Sequence, residues 1–277
     1  MLNHKKIAFI GSGVMAEAMI KGLLREGLVT SGQVTASGPR PERGQELFDR
    51  YSVETMTDNV AAVESAEVVV LSVKPQVLCP VLEELGGHVV SDALVLSIVA
   101  GAKMDTIQRM LEVPAVVRVM PNTPAQIGLG ISVWAATEAT TETQRGQSLA
   151  ILQALGEEVY VDDERYLDMA TALSGTGPAY VFLLMEAMVD AGVHLGFSRH
   201  VSERLVIETL RGSVEYARQS PRHLAALRNQ VTSPGGTSAE AIYHLEKGGL
   251  RTVLSRAIWA AYQRSRTLGS QAQSDGK

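Results

Sequence analysis

K-I-A-F-I-G-S-G-V-M-A, residues 6–16, is the stretch that decides the fold. Lys6 opens a short apolar run rich in β-formers. Gly11, Ser12, Gly13, Val14, Met15 and Ala16 follow at once, and Met15, Met19, Ile20, Leu23 and Leu24 then recur at helical spacing until Gly27. Strand, glycine loop and helix in that order give the G-x-G-x-x-A form of the dinucleotide-binding fingerprint. Gly11 makes the tight turn, Gly13 lets a pyrophosphate approach the backbone, and Ala16 lets the helix pack against the strand.

Working outward, residues 33–36 form the next strand and end in S-G-P-R-P-E-R at 37–43. A site built for NAD places an acid there to accept from the ribose hydroxyls. Ser37 followed by Arg40 and Arg43 instead suits a 2′-phosphate, so NADPH is expected, with NADH as the alternative donor. Residues 68–73, 94–99 and 115–120 are continuous apolar runs with helical patterns between them, the pattern of parallel strands buried on both faces. Ligands of such sheets bind outside the carboxyl ends of the strands. Those ends, with Asn59 before a helix start, place Ser37, Arg40, Asn59, Ser72, Val73, Lys74, Pro75, Ala100 and Asn122 beside the glycine loop as candidate cofactor contacts. Residues 131–135 and 158–161 read as further strands extending the sheet, antiparallel to it.

From about Asp162 no strand pattern remains. Helical patterns cover residues 179–195, 201–217, 237–246 and 250–267, and the small polar tail from 269 reads as disordered. The first of these helices is apolar nearly all round, with Glu186, Asp190 and His194 on one polar face, so a second subunit is expected to cover it. The fold class is therefore α/β: an N-terminal Rossmann-type doubly wound sheet over residues 1–162, then an all-helical C-terminal domain over 163–277.

A second anion socket is written into V-T-S-P-G-G-T-S at 231–238. Hydroxyls, a proline and two glycines run into a helix, leaving its first N–H groups unpaired and partly positive. Gly235 and Gly236 admit a ligand to the backbone, and Thr232, Ser233, Thr237 and Ser238 add short donors. A carboxylate or phosphate fits such a place.

Composition narrows the function. At 277 residues, 45% hydrophobic and 20% charged, the chain can bury a large core, and a formal charge of −5 argues against nucleic acid or anionic membrane as partner. Residues 164–277 carry 13 Lys+Arg against 10 Asp+Glu, mildly positive and suited to an anionic ligand. Cys79 is the single cysteine, so no disulfide framework exists and a reducing, cytoplasmic location is expected. The six histidines show no metal spacing, so no metal is expected. No apolar run approaches the length of a membrane span. Cys79, followed by Pro80, has no cationic neighbours that would activate it.

With these motifs in place the sequence resembles the pyrroline-5-carboxylate reductases. G-S-G-V-M-A at 11–16, S-V-K-P at 72–75, S-G-T-G-P-A-Y at 174–180 and V-T-S-P-G-G-T-S at 231–238 carry the likeness, which runs from Lys6 to Leu268. The resemblance implies reduction of 1-pyrroline-5-carboxylate to L-proline, the last step of proline biosynthesis, with NADPH or sometimes NADH as hydride donor. It implies a homodimer formed through the helical domain, often assembled further into decamers. It also implies cofactor contacts at the 11–16 loop, Ser37, Asn59, Ser72, Lys74 and the 99–101 turn. The substrate carboxylate would rest on Val231, Ser233, Gly235, Gly236, Thr237 and Ser238. Where the family usually has a threonine whose hydroxyl meets the imine nitrogen, this chain has Ser238 preceded by Thr237; the hydroxyl is kept and the stiffening β-branch is lost.

Two other readings compete. A 3-hydroxyacid dehydrogenase would need a base at the oxygen, supplied in that family by a lysine on the long helix, and residues 179–195 contain none. A non-catalytic dinucleotide sensor or scaffold would have no use for the second socket.

Overall fold

The computed structural model describes residues 2 and 4–274. By internal contacts the chain forms two units, one running to Gly177 and resuming at Ala261, the other spanning Pro178–Ala260.

The first unit is built on a single eight-stranded sheet. Strands β1 (Ile7–Ile10), β2 (Val34–Ser37), β3 (Glu54–Met56), β4 (Val68–Leu71), β5 (Leu94–Ser97) and β6 (Val116–Met120) are parallel, in the order β3-β2-β1-β4-β5-β6. The order reverses at β1, between β2 and β4, which is where sheets of this class take their ligand. β7 (Gly130–Ala136) runs antiparallel to β6, and β8 (Gly156–Tyr160) parallel to β7, so both oppose the other six as expected. Local length explains the switch: β6 reaches β7 through a short 3-10 turn, Thr123–Ile127, whereas β7 returns parallel through a helix, Glu142–Gln153.

Helices α1 (Val14–Arg25), α2 (Pro41–Tyr51), α3 (Asn59–Val63), α4 (Leu78–Leu85), α5 (Met104–Leu111) and α6 (Glu142–Gln153) connect the strands. Alternate residues of each strand enter separate cores. Ile7 and Phe9 pack on one face with Met19, Ile20 and Leu152, while Ala8 and Ile10 pack on the other with Leu78, Leu82 and Ile107. Burial of both faces is why these strands read as unbroken apolar runs.

α7 (Arg165–Ala170) and a π turn, Thr171–Gly175, close the first unit's main segment. α8 (Gly177–His194), α9 (Arg199–Gln219), α10 (Leu224–Gln230), α11 (Thr237–Lys247) and α12 (Leu250–Ser274) follow. Among the described residues no strand follows β8. The expected disordered tail is corrected as far as Ser274: α12 continues through it, since S-Q-A-Q after Gly269 contains no helix breaker. Residues 275–277 lie outside the described residues. A second correction concerns the apolar content: by length and mean hydropathy Arg165–His194 is long enough to cross a membrane, with 11% of its most apolar window buried. A count of uninterrupted apolar residues misses this, because Glu186 and Asp190 break the run.

Candidate active site

The glycine loop sits at the carboxyl end of β1, and the other expected cofactor residues lie along the same edge of the sheet. Ile10 is in register with Ser37 and Leu71, and Leu71 with Ser97, so the residues just beyond line up from strand to strand. Gly11 has φ +101°, and a Cβ there would lie 2.7 Å from the carbonyl oxygen of Ser72. Only glycine fits. Gly13 has ordinary φ, and a Cβ added there would meet nothing within 4 Å, so the protein itself supplies no reason for glycine at that position. It is also the N-cap of α1 and offers no side-chain acceptor, which leaves the first N–H groups of the helix without one. An open glycine at an uncapped helix start fits a pyrophosphate. Ala16 is fully buried against the core, as the fingerprint requires. Val14 is exposed and Met15 half-buried at the rim.

Several candidate side chains are already engaged. The Ser72 hydroxyl donates to the carbonyl of Gly11 at 2.7 Å, bracing the loop from β4. Ser37 is buried and donates to Asn59 Oδ1 at 2.7 Å, while Asn59 Nδ2 donates to Glu84 at 2.9 Å. Asn122 uses both ends of its amide, accepting from Ile131 N–H at 3.0 Å and donating to the Ser174 carbonyl at 3.3 Å. Val73, Pro75 and Ala100 line the same edge and are half-buried. Lys74 and Arg40 are exposed, and neither makes an ion pair among the described residues.

Arg43 does something the sequence does not reveal. Its guanidinium pairs with Glu17 on α1 and with Glu46 at 2.7 Å, and its Nε donates to the Ser12 carbonyl at 3.0 Å. Glu17 also accepts from Tyr51 at 2.8 Å and Arg50 at 2.9 Å. Burial alone would raise the Glu17 carboxyl; hydrogen bonds from Arg43, Tyr51 and Arg50 outweigh it and hold the group below its ordinary value. Of the two arginines after β2, Arg43 is thus spent on the loop, while Arg40 is exposed.

The second socket lies in the helical unit. Gly236 is the N-cap of α11, with extended backbone and no side-chain cap. Gly235 has φ +67° and open space around it. Val231, Ser233, Gly235 and Thr237 are exposed, and Gly236 and Ser238 half-buried. Thr232, by contrast, donates to the Arg228 carbonyl at 2.7 Å. Gly236 and Ala239 N–H donate to the carbonyls of Ser233 and Gly236, so the socket is an open turn presenting the N–H groups of Thr237 and Ser238, with the hydroxyls of Ser233, Thr237 and Ser238 beside them.

A cavity of about 770 Å³ in the first unit meets the expected cofactor track only at Gly101, and is otherwise lined by residues such as Lys103, Arg118, Glu164 and Asp168. Arg118 was a readable signal: a lone charge inside the apolar strand V-V-R-V-M.

Fold and glycine loop together define an NAD(P)H-dependent oxidoreductase of the Rossmann type. Residues 164–268 match the family profile described as pyrroline-5-carboxylate reductase dimerisation, and residues 6–101 the profile described as NADP oxidoreductase, coenzyme F420-dependent. The chain is 40% identical over 271 residues to the pyrroline-5-carboxylate reductase of Pseudomonas aeruginosa, covering 98% of this chain and 99% of that one. It is 38% identical over 266 residues to that of Synechocystis sp., covering 96% and 99%. The crystal structure of Plasmodium falciparum pyrroline carboxylate reductase with NADP bound superposes with a TM-score of 0.88 at 30% identity, covering 96% of this chain and 98% of that one. The chain belongs to the pyrroline-5-carboxylate reductase family.

Proposed function

We propose that the chain reduces the C=N bond of 1-pyrroline-5-carboxylate to L-proline with NADPH, the last step of proline biosynthesis. The observation that carries this reading is the open glycine start of α11, with Thr237 and Ser238 beside it, in a chain whose α1 begins on a dinucleotide loop. NADPH, when bound, supplies the hydride. The N–H groups of α1 take its pyrophosphate, and Arg40, beyond β2, takes the 2′-phosphate.

The N–H groups at the start of α11 hold the substrate carboxylate, with Val231, Ser233, Gly235 and Gly236 shaping the turn around it. A cyclic imine is basic enough to arrive protonated, so a strong general acid is unnecessary. The hydroxyl of Ser238 or Thr237 orients the iminium N–H, and the protein's contribution is mainly alignment of the reacting carbons. Residues 163–277 form the substrate-binding and dimerisation region and residues 1–162 the cofactor-binding region. The homodimer, formed through the helical region, assembles further into a decamer in the cytoplasm.

The test is to mix purified protein, NADPH and pyrroline-5-carboxylate and follow absorbance of the reduced cofactor, with a 3-hydroxyacid and NADP in parallel. Oxidation of NADPH in the first mixture alone supports the reading. Turnover only in the second would transfer the chain to alcohol oxidation.

A further inference from the structure

Arg118 is the only charged residue of β6, and its side chain is 5% exposed. It donates to Glu164 at 3.1 Å and to Asp168 Oδ1 at 3.2 Å. The same Asp168 oxygen accepts from the hydroxyl of Ser265 at 3.1 Å, and Ser265 is itself buried. Their places in the chain are what matter. Asp168 lies on α7, which runs through the π turn to Gly177, where the chain leaves the first unit. Ser265 lies shortly after Ala261, where the chain returns. One carboxylate therefore ties the outgoing segment to the returning one, and Arg118 ties both to the sheet. Just beyond β6, Asn122 holds the Ser174 carbonyl, and a Cβ on Gly175 would lie 2.6 Å from Met120, the last residue of the strand.

Stability alone does not explain such a cluster. Two carboxylates face one guanidinium, and buried ion pairs are often no more stabilising than apolar side chains of similar volume. Val116, Val117 and Val119 on the same strand show what an apolar solution looks like. What directional bonds add is a fixed geometry.

We propose that Arg118, Asp168 and Ser265 form a positioning clasp that fixes the two chain crossings into the helical unit, and thereby controls substrate binding without touching substrate. The proposal rests on the reading that residues 233–238 hold the substrate carboxylate. It separates the two ligands: the clasp's bonds run among Arg118, Glu164, Asp168 and Ser265 and none reaches the 11–16 loop, which should not sense it, whereas the α11 socket lies on the segment whose two ends the clasp holds and should.

Ser265→Ala in the full-length protein removes one tie and leaves both carboxylates on Arg118. The expected result is a KM for pyrroline-5-carboxylate raised by about tenfold, the scale of one hydrogen bond to a charged group, with NADPH affinity by fluorescence titration unchanged and Tm lowered, because a buried carboxylate oxygen loses a donor. Asp168→Ala should show the same split. Asp168→Asn keeps an acceptor oxygen and leaves Arg118 and Glu164 as a neutral pair, so it should restore a KM near that of the wild type. A wild-type KM in Ser265→Ala overturns the clasp, as does parallel loss of both ligands, or an Asp168→Asn as impaired as Asp168→Ala. Should the wild-type protein fail to oxidise NADPH with this substrate, the functional reading is lost and the clasp falls with it; failure of the split in an active enzyme removes the clasp alone.

Discussion

Arg43 reaches back from the first turn of α2 to donate to the Ser12 carbonyl at 3.0 Å, with its guanidinium anchored by Glu17 of α1. A cation that sequence logic assigns to a 2′-phosphate thus serves instead as a brace of the glycine loop. Replacing Arg43 with Met should cost about 1.5–3 kcal/mol, the range for a lost hydrogen bond to a charged group, read as a lower midpoint in urea unfolding. The midpoint should hold if the brace contributes nothing.

The same cluster sets a pH dependence. Glu17 titrates below its ordinary value in the folded protein, so the unfolded chain binds more protons than the native one in the acid range. Its contribution is present above the ordinary glutamate value of 4.5 and is lost as pH falls through the lower folded value. Unfolding curves collected from neutral pH downward should show wild type losing stability faster than Glu17→Gln below about pH 4.5. Parallel curves would mean that the carboxylate is not coupled to folding.

Gly11 and Gly13 look alike in the fingerprint and differ in physical role. Ala at 11 must take a left-handed φ and press a methyl on the Ser72 backbone, so Gly11→Ala should lower Tm by about 5 °C or more. Ala at 13 meets open space within the protein, so Gly13→Ala should keep Tm while weakening NADPH binding by about tenfold or more through crowding of the pyrophosphate. Thermal melts with and without NADPH distinguish the two. Equal loss of Tm in both variants would remove the assignment of Gly13 to the ligand.

Much of this architecture was legible because it is written locally. β1, β4, β5 and β6 are apolar runs, and the 11–16 loop needs residue types that few other structures demand. β3 was not legible: E-T-M is three residues long, half-exposed and at the sheet edge, too short for any period to register. α7 and the π turn were missed because tertiary contacts, Gly175 against Met120 and Asp168 against Arg118, shape them. In the site, the glycines declare their backbone geometry, but which of Arg40 and Arg43 is free depends on Glu17, a partner 26 residues away from Arg43. The spent amide of Asn122 was likewise hidden, since its partners Ile131 and Ser174 come from different elements.

Arg40 is exposed, and the proposed function gives it the 2′-phosphate. Arg40→Ala should raise KM for NADPH by about tenfold, the loss of one charge-assisted hydrogen bond, and leave KM for NADH unchanged. Steady-state assays with both cofactors settle it: an equal rise for both would make Arg40 a general contact, and no rise would pass the role to Lys74 or to backbone.

Ser238 and Thr237 offer two hydroxyls where one is needed. If Ser238 orients the iminium, Ser238→Ala should lower kcat by about tenfold, the scale of an orienting hydrogen bond rather than of obligatory proton transfer. Ser238→Thr adds the β-branch that limits χ1 and should match or exceed the wild type. A normal rate in Ser238→Ala moves the role to Thr237, and Thr237→Ala then becomes the impaired variant.

The apolar surface of the helical unit makes the last prediction. Of the 18 residues of α8 only Val189 is buried, while Phe182 is 62% and Leu183 67% exposed, and Trp259 of α12 is 62% exposed. The family profile for dimerisation covers all of them. Covering a large apolar side chain contributes about 1.5–3 kcal/mol, and a charge in its place adds a desolvation cost. Leu183→Asp should therefore shift the mass measured by light scattering toward the monomer. Because subunit association stabilises by mass action, its Tm should also fall and become dependent on protein concentration in the micromolar range. An unchanged oligomer mass in Leu183→Asp would place the subunit contact elsewhere than on this face of α8.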